Sequence, residues 1–150
     1  MAYEYKITRR VEWADTDMAG IMHFSNFFRF MEAAEHAFFR SIGESIDTDT
    51  GSRRFGWPRV HSNCDFLKPA RFEDEIQVHL LVREISEKTI LHNFILRNLA
   101  TDTLIARGAI RVACVDHNRA AGTMTAVPIP KTILQKIEPV PKTILNALEL

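Results

Sequence analysis

The chain has 150 residues, 46% hydrophobic and 25% charged, with 19 Lys and Arg balanced by 19 Asp and Glu for a formal net charge of zero. That composition fits one globular domain over residues 1–150, and a chain of this size buries roughly 70% of its unfolded surface, enough to dispense with disulfides or a structural metal. Neutrality argues against the basic footprint of a nucleic-acid module, and Cys64 and Cys114, each in an apolar stretch and outside any C-x-x-C, make neither a secreted disulfide framework nor a zinc motif.

The N-terminal MAYEYKITRR has no apolar core of a signal peptide, and no window approaches the length of apolar chain that spans a bilayer. A cytoplasmic protein in a reducing compartment is expected. Residues 4 to 13 alternate loosely between apolar and charged positions and predict a strand ending at a D-T-D turn. From Asn26 to Ile42 the spacing changes to helical: Phe27, Phe30, Met31, Ala34, Phe38 and Ile42 form an apolar stripe that Phe28, Ala37 and Phe39 widen. Ser25 or Asn26 is placed to cap it, and Gly43 to end it. A helix so aromatic on most sides is a buried one.

Residues 44 to 57 are rich in Asp, Ser, Thr and Gly and read as a long loop. Strands are then predicted over Arg59 to Phe66, Glu75 to Ile85, Lys88 to Asn98 and Leu104 to Val115, with hairpin-length turns between the last three. Two short helical segments, each opening with proline, finish the chain. One early apolar helix followed by hairpin-linked strands makes an α+β protein: an antiparallel sheet curled around a single helix. Such a sheet keeps open edges, which a second copy would cover, so a homo-oligomer is expected.

The densest chemistry lies in residues 13 to 27, WADTDMAGIMHFSNF. Gly20 permits a turn that other residues resist, and the chain then enters a helix whose N-terminal N–H groups favour developing negative charge. A carboxylate just before such a site is placed to attack, or to activate water towards, a carbonyl held on those donors. On spacing alone, Asp17 could equally be an aspartate that stabilises its own turn, and Asp15 reads as one. His61, His79, His92 and His117 have no metal-ligand spacing, and none is expected to hold a metal.

The run W-A-D-T-D-M-A-G-I-M-H-F-S-N-F-F-R-F-M-E resembles the signature of the 4-hydroxybenzoyl-CoA thioesterase family of the hot-dog fold: an aromatic, D-x-D, a following glycine, a His-aromatic pair and an aromatic-rich helix. The resemblance is specific over residues 11 to 40 and compatible in layout as far as the P-I-P-K segment near 130. It implies a hot-dog fold and hydrolysis of an aromatic or short to medium acyl-CoA, without a cofactor beyond the coenzyme A of the substrate. It implies Asp17 as nucleophile or general base and the backbone N–H of Phe24 as oxyanion donor, with Gly20 in the turn between them. His23 then lines the pocket or orients the carboxylate. Glu32 is a second candidate, because another branch of hot-dog thioesterases uses a helix glutamate; it is also spaced to pair with His36 or Arg29.

The acyl pocket is expected to draw on Phe24, Phe27, Trp57, Val60 and His61, and the coenzyme A phosphates on Arg83, Lys88, Arg111 or Arg119. No nucleic-acid or membrane-spanning partner is expected, and the assembly is a dimer or a dimer of dimers. Two other functions compete: an acyl-thioester hydratase or dehydratase, which needs a histidine paired with a carboxylate, and an acyl-CoA binding module without turnover. The carboxylate beside a desolvated oxyanion site, costly if unused, favours the hydrolase.

Overall fold

The computed structural model describes residues 1–150. In chain order its elements are β1 (Glu4–Arg10), a 3-10 turn (Trp13–Asp15), α1 (Phe24–Ser41), β2 (Thr48–Asp49), β3 (Arg54–Gly56), β4 (Arg59–Phe66), β5 (Glu75–Ile85), β6 (Thr89–Asn98), β7 (Thr103–Ala113), β8 (Val115–Asn118), β9 (Thr123–Ala126), α2 (Lys131–Leu134) and α3 (Lys142–Ala147). Five strands form an antiparallel sheet in the order β1-β5-β6-β7-β4, and β2-β3-β8-β9 form a smaller one. This is the hot-dog arrangement, a sheet wrapped around one long helix.

The alternation of β5 aligns Ile76, Val78, Leu80 and Val82 on the inner face, opposite Asn98, Leu96, Phe94 and His92 of β6. On the same face Phe94 pairs with Gly108 and Ile90 with Val112 of β7. Against this floor α1 packs Phe27, Phe30, Met31, Ala34 and Phe38, all buried. Gly108 is where helix and sheet come closest: a Cβ there would collide with the Met31 thioether and lie 2.9 Å from the Asn63 carbonyl oxygen. The outer face has a second apolar cluster, in which Val140 and Leu145 of the C-terminal tail cover Leu81 and Ile95. Val140 N–H also donates to the Val82 carbonyl at 2.7 Å, fastening the tail to the sheet.

Three sequence expectations need correction. The helix begins at Phe24 rather than Asn26, because His23, not Ser25 or Asn26, is its N-cap and accepts from the Ser25 N–H. Its other end is as expected: Gly43 takes φ +75°, with Gly43 N–H on Arg40 O at 3.0 Å and Glu44 N–H on Phe39 O at 2.9 Å, a Schellman closure. Residues 44–57 are not a plain loop but contain β2 and β3, which pair with each other and with β8. The strand expected to run to Val115 breaks at Cys114, whose N–H turns aside to the Lys88 carbonyl, so that β8 joins the second sheet. The two proline-led segments are α2 and α3, with Pro130 and Pro141 as their N-caps.

Substituting Gly108→Ala should destabilise the fold by about 1–3 kcal/mol, the usual cost of overpacking a filled core. Urea denaturation measures this, and pairing it with Met31→Ala should recover part of the loss, because the thioether is the more yielding obstacle.

Candidate active site

The D-x-D segment is folded by its own hydrogen bonds. Asp15 Oδ2 accepts from Glu12 N–H at 2.8 Å, while the Asp15 carbonyl accepts from both His23 N–H and Asn26 Nδ2 at 2.8 Å. Asp15 therefore ties the loop to the first turn of α1. Asp17 opens a tight turn: its carbonyl accepts from Gly20 N–H at 3.0 Å, its N–H donates to Ile21 O at 2.9 Å, and its Oδ1 accepts from Ala19 N–H at 2.8 Å. Asp17 Oδ2 has no hydrogen-bond partner in the chain. Gly20 closes the turn at φ +76° with open space where a Cβ would stand, so its role is conformational and not steric. Met22 N–H then pairs with the Ala70 carbonyl at 2.7 Å and anchors the segment to the strand-to-strand connection after β4.

Asp17 and Phe24 line one cavity of about 410 Å³, together with Phe27, Phe66 and Lys68 among others. Its walls are mostly apolar, with the Phe66 ring edge-on to Phe27 at 5.1 Å and to Phe24 at 6.4 Å. Phe24 is the first residue of α1, and its N–H has neither a helical acceptor nor a side-chain one. The cavity thus places a carboxylate oxygen free to react and an unpaired N–H at the positive end of an 18-residue helix in one apolar pocket. That pairing suits addition to a carbonyl: one group attacks or activates water, and the other stabilises the oxyanion.

The chain matches the Thioesterase-like superfamily over residues 11–148. It belongs to that family. A relative from Aquifex aeolicus is 31% identical over 132 residues, covering 87% of this chain and 94% of its own. The 1,4-dihydroxy-2-naphthoyl-CoA hydrolase of Synechocystis is 27% identical over 107 residues, covering 71% of this chain and 78% of its own. The solved 4-hydroxybenzoyl CoA thioesterase of Pseudomonas superposes with a TM-score of 0.78 at 19% identity, over 91% of this chain and 100% of its own, and shows the same fold.

In this thioesterase-like chain the remaining candidates lie apart from the Asp17 cavity. His23 bonds Ser25 Oγ through Nδ1 at 2.8 Å and stacks on Phe24, so it caps the helix and does not hold Asp17. Trp57, expected in the acyl pocket, is instead buried against Phe39 at 5.4 Å between rings. Val60 and His61 sit on the exposed edge strand β4 and do not reach the cavity within one chain. Arg83 lies under the C-terminal tail near the Leu150 carbonyl, Arg111 is paired with Glu84 at 2.9 Å, Lys88 sits in the exposed β5–β6 turn and Arg119 lines a separate polar cavity beside β8. Glu32 is half-exposed and pairs with Arg59 at 3.3 Å, not with His36 or Arg29. No helix is long and apolar enough to cross a membrane.

The buried carboxylate of the helix is Glu35, which the sequence reading passed over. It has no exposed surface, and it meets Arg59 at 3.0 Å and His92, equally buried on the inner face of β6, at 3.4 Å. The signal was present in the spacing, since Glu35 stands four residues after Met31 and four before Phe39, inside the apolar stripe. Burial pushes the Glu35 carboxyl up, but the His92 imidazole and the charges of His92, Arg59 and His36 outweigh it and hold the group below the usual carboxylate range.

A carboxyl whose pKa is lowered by folding contributes stability that is present above its unfolded value, about 4.3, and is lost as pH falls through the folded one. Denaturation midpoints followed from pH 7 down should therefore drop on the acid side of about pH 4.3 in the wild type, and Glu35→Gln should be less stable at pH 7 but flatter across that range. Glu35→Ala should cost about 3–5 kcal/mol at pH 7, because it leaves His92 and Arg59 without their central partner.

Proposed function

We propose that this thioesterase hydrolyses the thioester of an aromatic acyl-CoA, with Asp17 as the reacting carboxylate and the Phe24 N–H as the oxyanion donor. The observation that carries the reading is the pairing of an unbonded Asp17 Oδ2 and an unpaired helix N-terminal N–H in one apolar cavity. The aromatic walls suit a flat acyl group, and the relatives named above act, by their names, on naphthoyl and hydroxybenzoyl thioesters.

Two routes use the same atoms. In one, Asp17 attacks the carbonyl carbon, the carbon–sulfur bond breaks, coenzyme A leaves as its thiolate, and water hydrolyses the resulting anhydride. In the other, Asp17 takes a proton from water, and the hydroxide attacks. In both, negative charge builds on the carbonyl oxygen, which a preorganised N–H between apolar walls stabilises without having to be reoriented. A thiolate leaves readily near neutral pH, so neither route calls for a metal or a redox cofactor. A single turnover in labelled water puts label into the Asp17 carboxylate only by the first route. The hydratase reading loses its support because His23 is engaged with Ser25, and the two carboxylate–histidine pairs, Glu35 with His92 in the core and Glu4 with His79 between β1 and β5, lie outside the Asp17 cavity.

The cavity opens beside β4, an edge strand paired with β7 on one side only, which leads to Lys68. Val60, Phe66 and Leu67 are 57%, 48% and 47% exposed along that edge. A second copy paired there would cover these side chains and wall the cavity, giving a homodimer or a dimer of dimers in which the acyl pocket lies beside the interface.

With aromatic acyl-CoA substrates and a thiol reagent, Asp17→Asn should lose about a thousandfold or more in kcat while keeping the far-UV spectrum of the wild type. Retention of most activity by that variant would remove Asp17 from the reaction. Phe24→Pro is the sharper probe of the donor: proline is tolerated at the first helical position and deletes only the N–H from the backbone. It should lose about 100- to 1,000-fold in kcat, while Phe24→Ala, which keeps the N–H, should lose much less. By sedimentation the wild type should run as an oligomer, and Val60→Glu should shift it towards monomer.

A further inference from the structure

The Asp17 cavity has one feature that thioester hydrolysis does not require. Among its nine lining residues the two that carry charge are Asp17 and Lys68; the others are apolar, three of them phenylalanines. The Lys68 ammonium takes part in none of the ion pairs or side-chain hydrogen bonds of the chain, whereas Lys136, for comparison, is held by Glu44. Its backbone is nevertheless fixed. Leu67 N–H and Lys68 N–H both donate to the Ile105 carbonyl, at 2.9 and 3.1 Å, and two residues later the Ala70 carbonyl receives the Met22 N–H of the segment that carries Asp17. The lysine is therefore mounted on the same hydrogen-bonded frame as the reacting carboxylate.

Lys68 is exposed where it lines the cavity, and with no carboxylate paired to it the ammonium is available to an anion that enters beside Asp17. The phosphates of coenzyme A are poor candidates for that anion. When the thioester lies at Asp17, the whole pantetheine arm stands between the sulfur and the diphosphate, and that arm is uncharged, so an anion that reaches Lys68 there belongs to the acyl group. Accepting the hydrolase reading above, we infer that Lys68 is a specificity determinant that selects aromatic acyl groups carrying a ring carboxylate away from the thioester. The three phenylalanines hold the ring, and the Lys68 ammonium donates to the carboxylate at its far side. The acid released then carries two carboxylates, so the reaction upstream must be one that activates an aromatic dicarboxylic acid as its coenzyme A thioester.

The test compares benzoyl-, 4-hydroxybenzoyl-, 3-carboxybenzoyl- and 4-carboxybenzoyl-CoA, which share a ring and differ in charge, on the wild type, Lys68→Met and Lys68→Arg. The wild type should prefer at least one carboxylated ester to benzoyl-CoA in kcat/KM. Lys68→Met should lose about 10- to 100-fold on that ester, the usual worth of a hydrogen bond to a charged group, and little on benzoyl-CoA; Lys68→Arg should keep the preference. An equal loss on all four esters would place the lysine on the pantetheine arm or on Asp17 and overturn the inference, as would unchanged selectivity in Lys68→Met. If the wild type hydrolyses none of them, the aromatic acyl-CoA reading fails. Calorimetric binding of the same esters to wild type and Lys68→Met then decides the lysine separately: a charged-ester preference that the substitution abolishes supports it, and its absence overturns it.

Discussion

An 18-residue helix with seven buried residues cannot rest on a flat sheet, and the rest of the molecule follows from the need to enclose it. The sheet must curl, and Gly108 lets it do so at the point of closest approach, where Met31 fills the space a side chain would need. Enclosure along the length of the helix leaves its two ends as the places where backbone groups remain free. The C-terminal end is closed by the turn at Gly43. The N-terminal end is left open at Phe24, and the reacting cavity is there. The site is thus a by-product of burial: a donor unpaired by helix geometry, directed into an apolar space that exists because aromatic residues continue past the core to the cavity mouth.

The same enclosure makes Glu35 costly. A carboxylate at the centre of the helix is removed from water on all sides, and it remains ionised because Arg59 enters from the start of β4 and His92 rises from β6. Glu35 Oε2 and both His92 nitrogens have no well-aligned hydrogen-bond partner, so charge more than geometry holds the cluster together. Three elements are thereby joined at one point: the helix that presents the donor, the edge strand beside the cavity, and the middle of the sheet. Replacing Glu35, Arg59 and His92 together by well-packed apolar side chains, unlike removing Glu35 alone, is often neutral for such buried clusters. The charged version differs in fixing the register of helix against sheet, because only one sliding position brings all three groups into contact.

Much of this was legible in the residues. Period-2 alternation located β5 to the residue, and helical spacing found α1, because burial on one face of each leaves a clear pattern, while the Lys-Pro break marked where β4, mostly exposed, ends. The D-x-D segment was legible too, since its turn chemistry is local: Asp15, Asp17 and Gly20 bond to residues within a few positions or to the helix they precede. What failed was non-local. His23 displaced Ser25 as the cap because the Asp15 carbonyl, eight residues earlier, draws its N–H and the Asn26 side chain back onto the loop. β2 and β3 are short and owe their pairing to β8, sixty residues on, so nothing in their own composition marks them. Trp57 was placed in the acyl pocket by its chemistry, yet Phe39 claims it for the core. Lys68 was passed over because a lysine before a proline looks like any turn residue until the fold brings it to Asp17.

The division between backbone and side chain explains how such a site can change substrate without losing its reaction. The proposed oxyanion donor is a main-chain N–H and survives any substitution at Phe24 other than proline, and the turn that carries Asp17 depends on Gly20 for conformation only. Apart from the carboxylate itself, the reacting atoms are therefore insulated from side-chain change. The cavity walls are not: Phe24, Phe27 and Phe66 contribute rings, and Lys68 contributes a charge, through positions whose backbones are fixed by hydrogen bonds that do not depend on side-chain identity. Selection acting on those four side chains alters what fits while leaving how it reacts untouched. One charged contact, worth about 1.5–3 kcal/mol, discriminates about as strongly as a gain or loss of one methylene, worth about 1–3 kcal/mol, in the same pocket. In a pocket with apolar walls, a cation and the aromatic surface around it are therefore separate means of choosing an acyl group, one by charge and the other by shape.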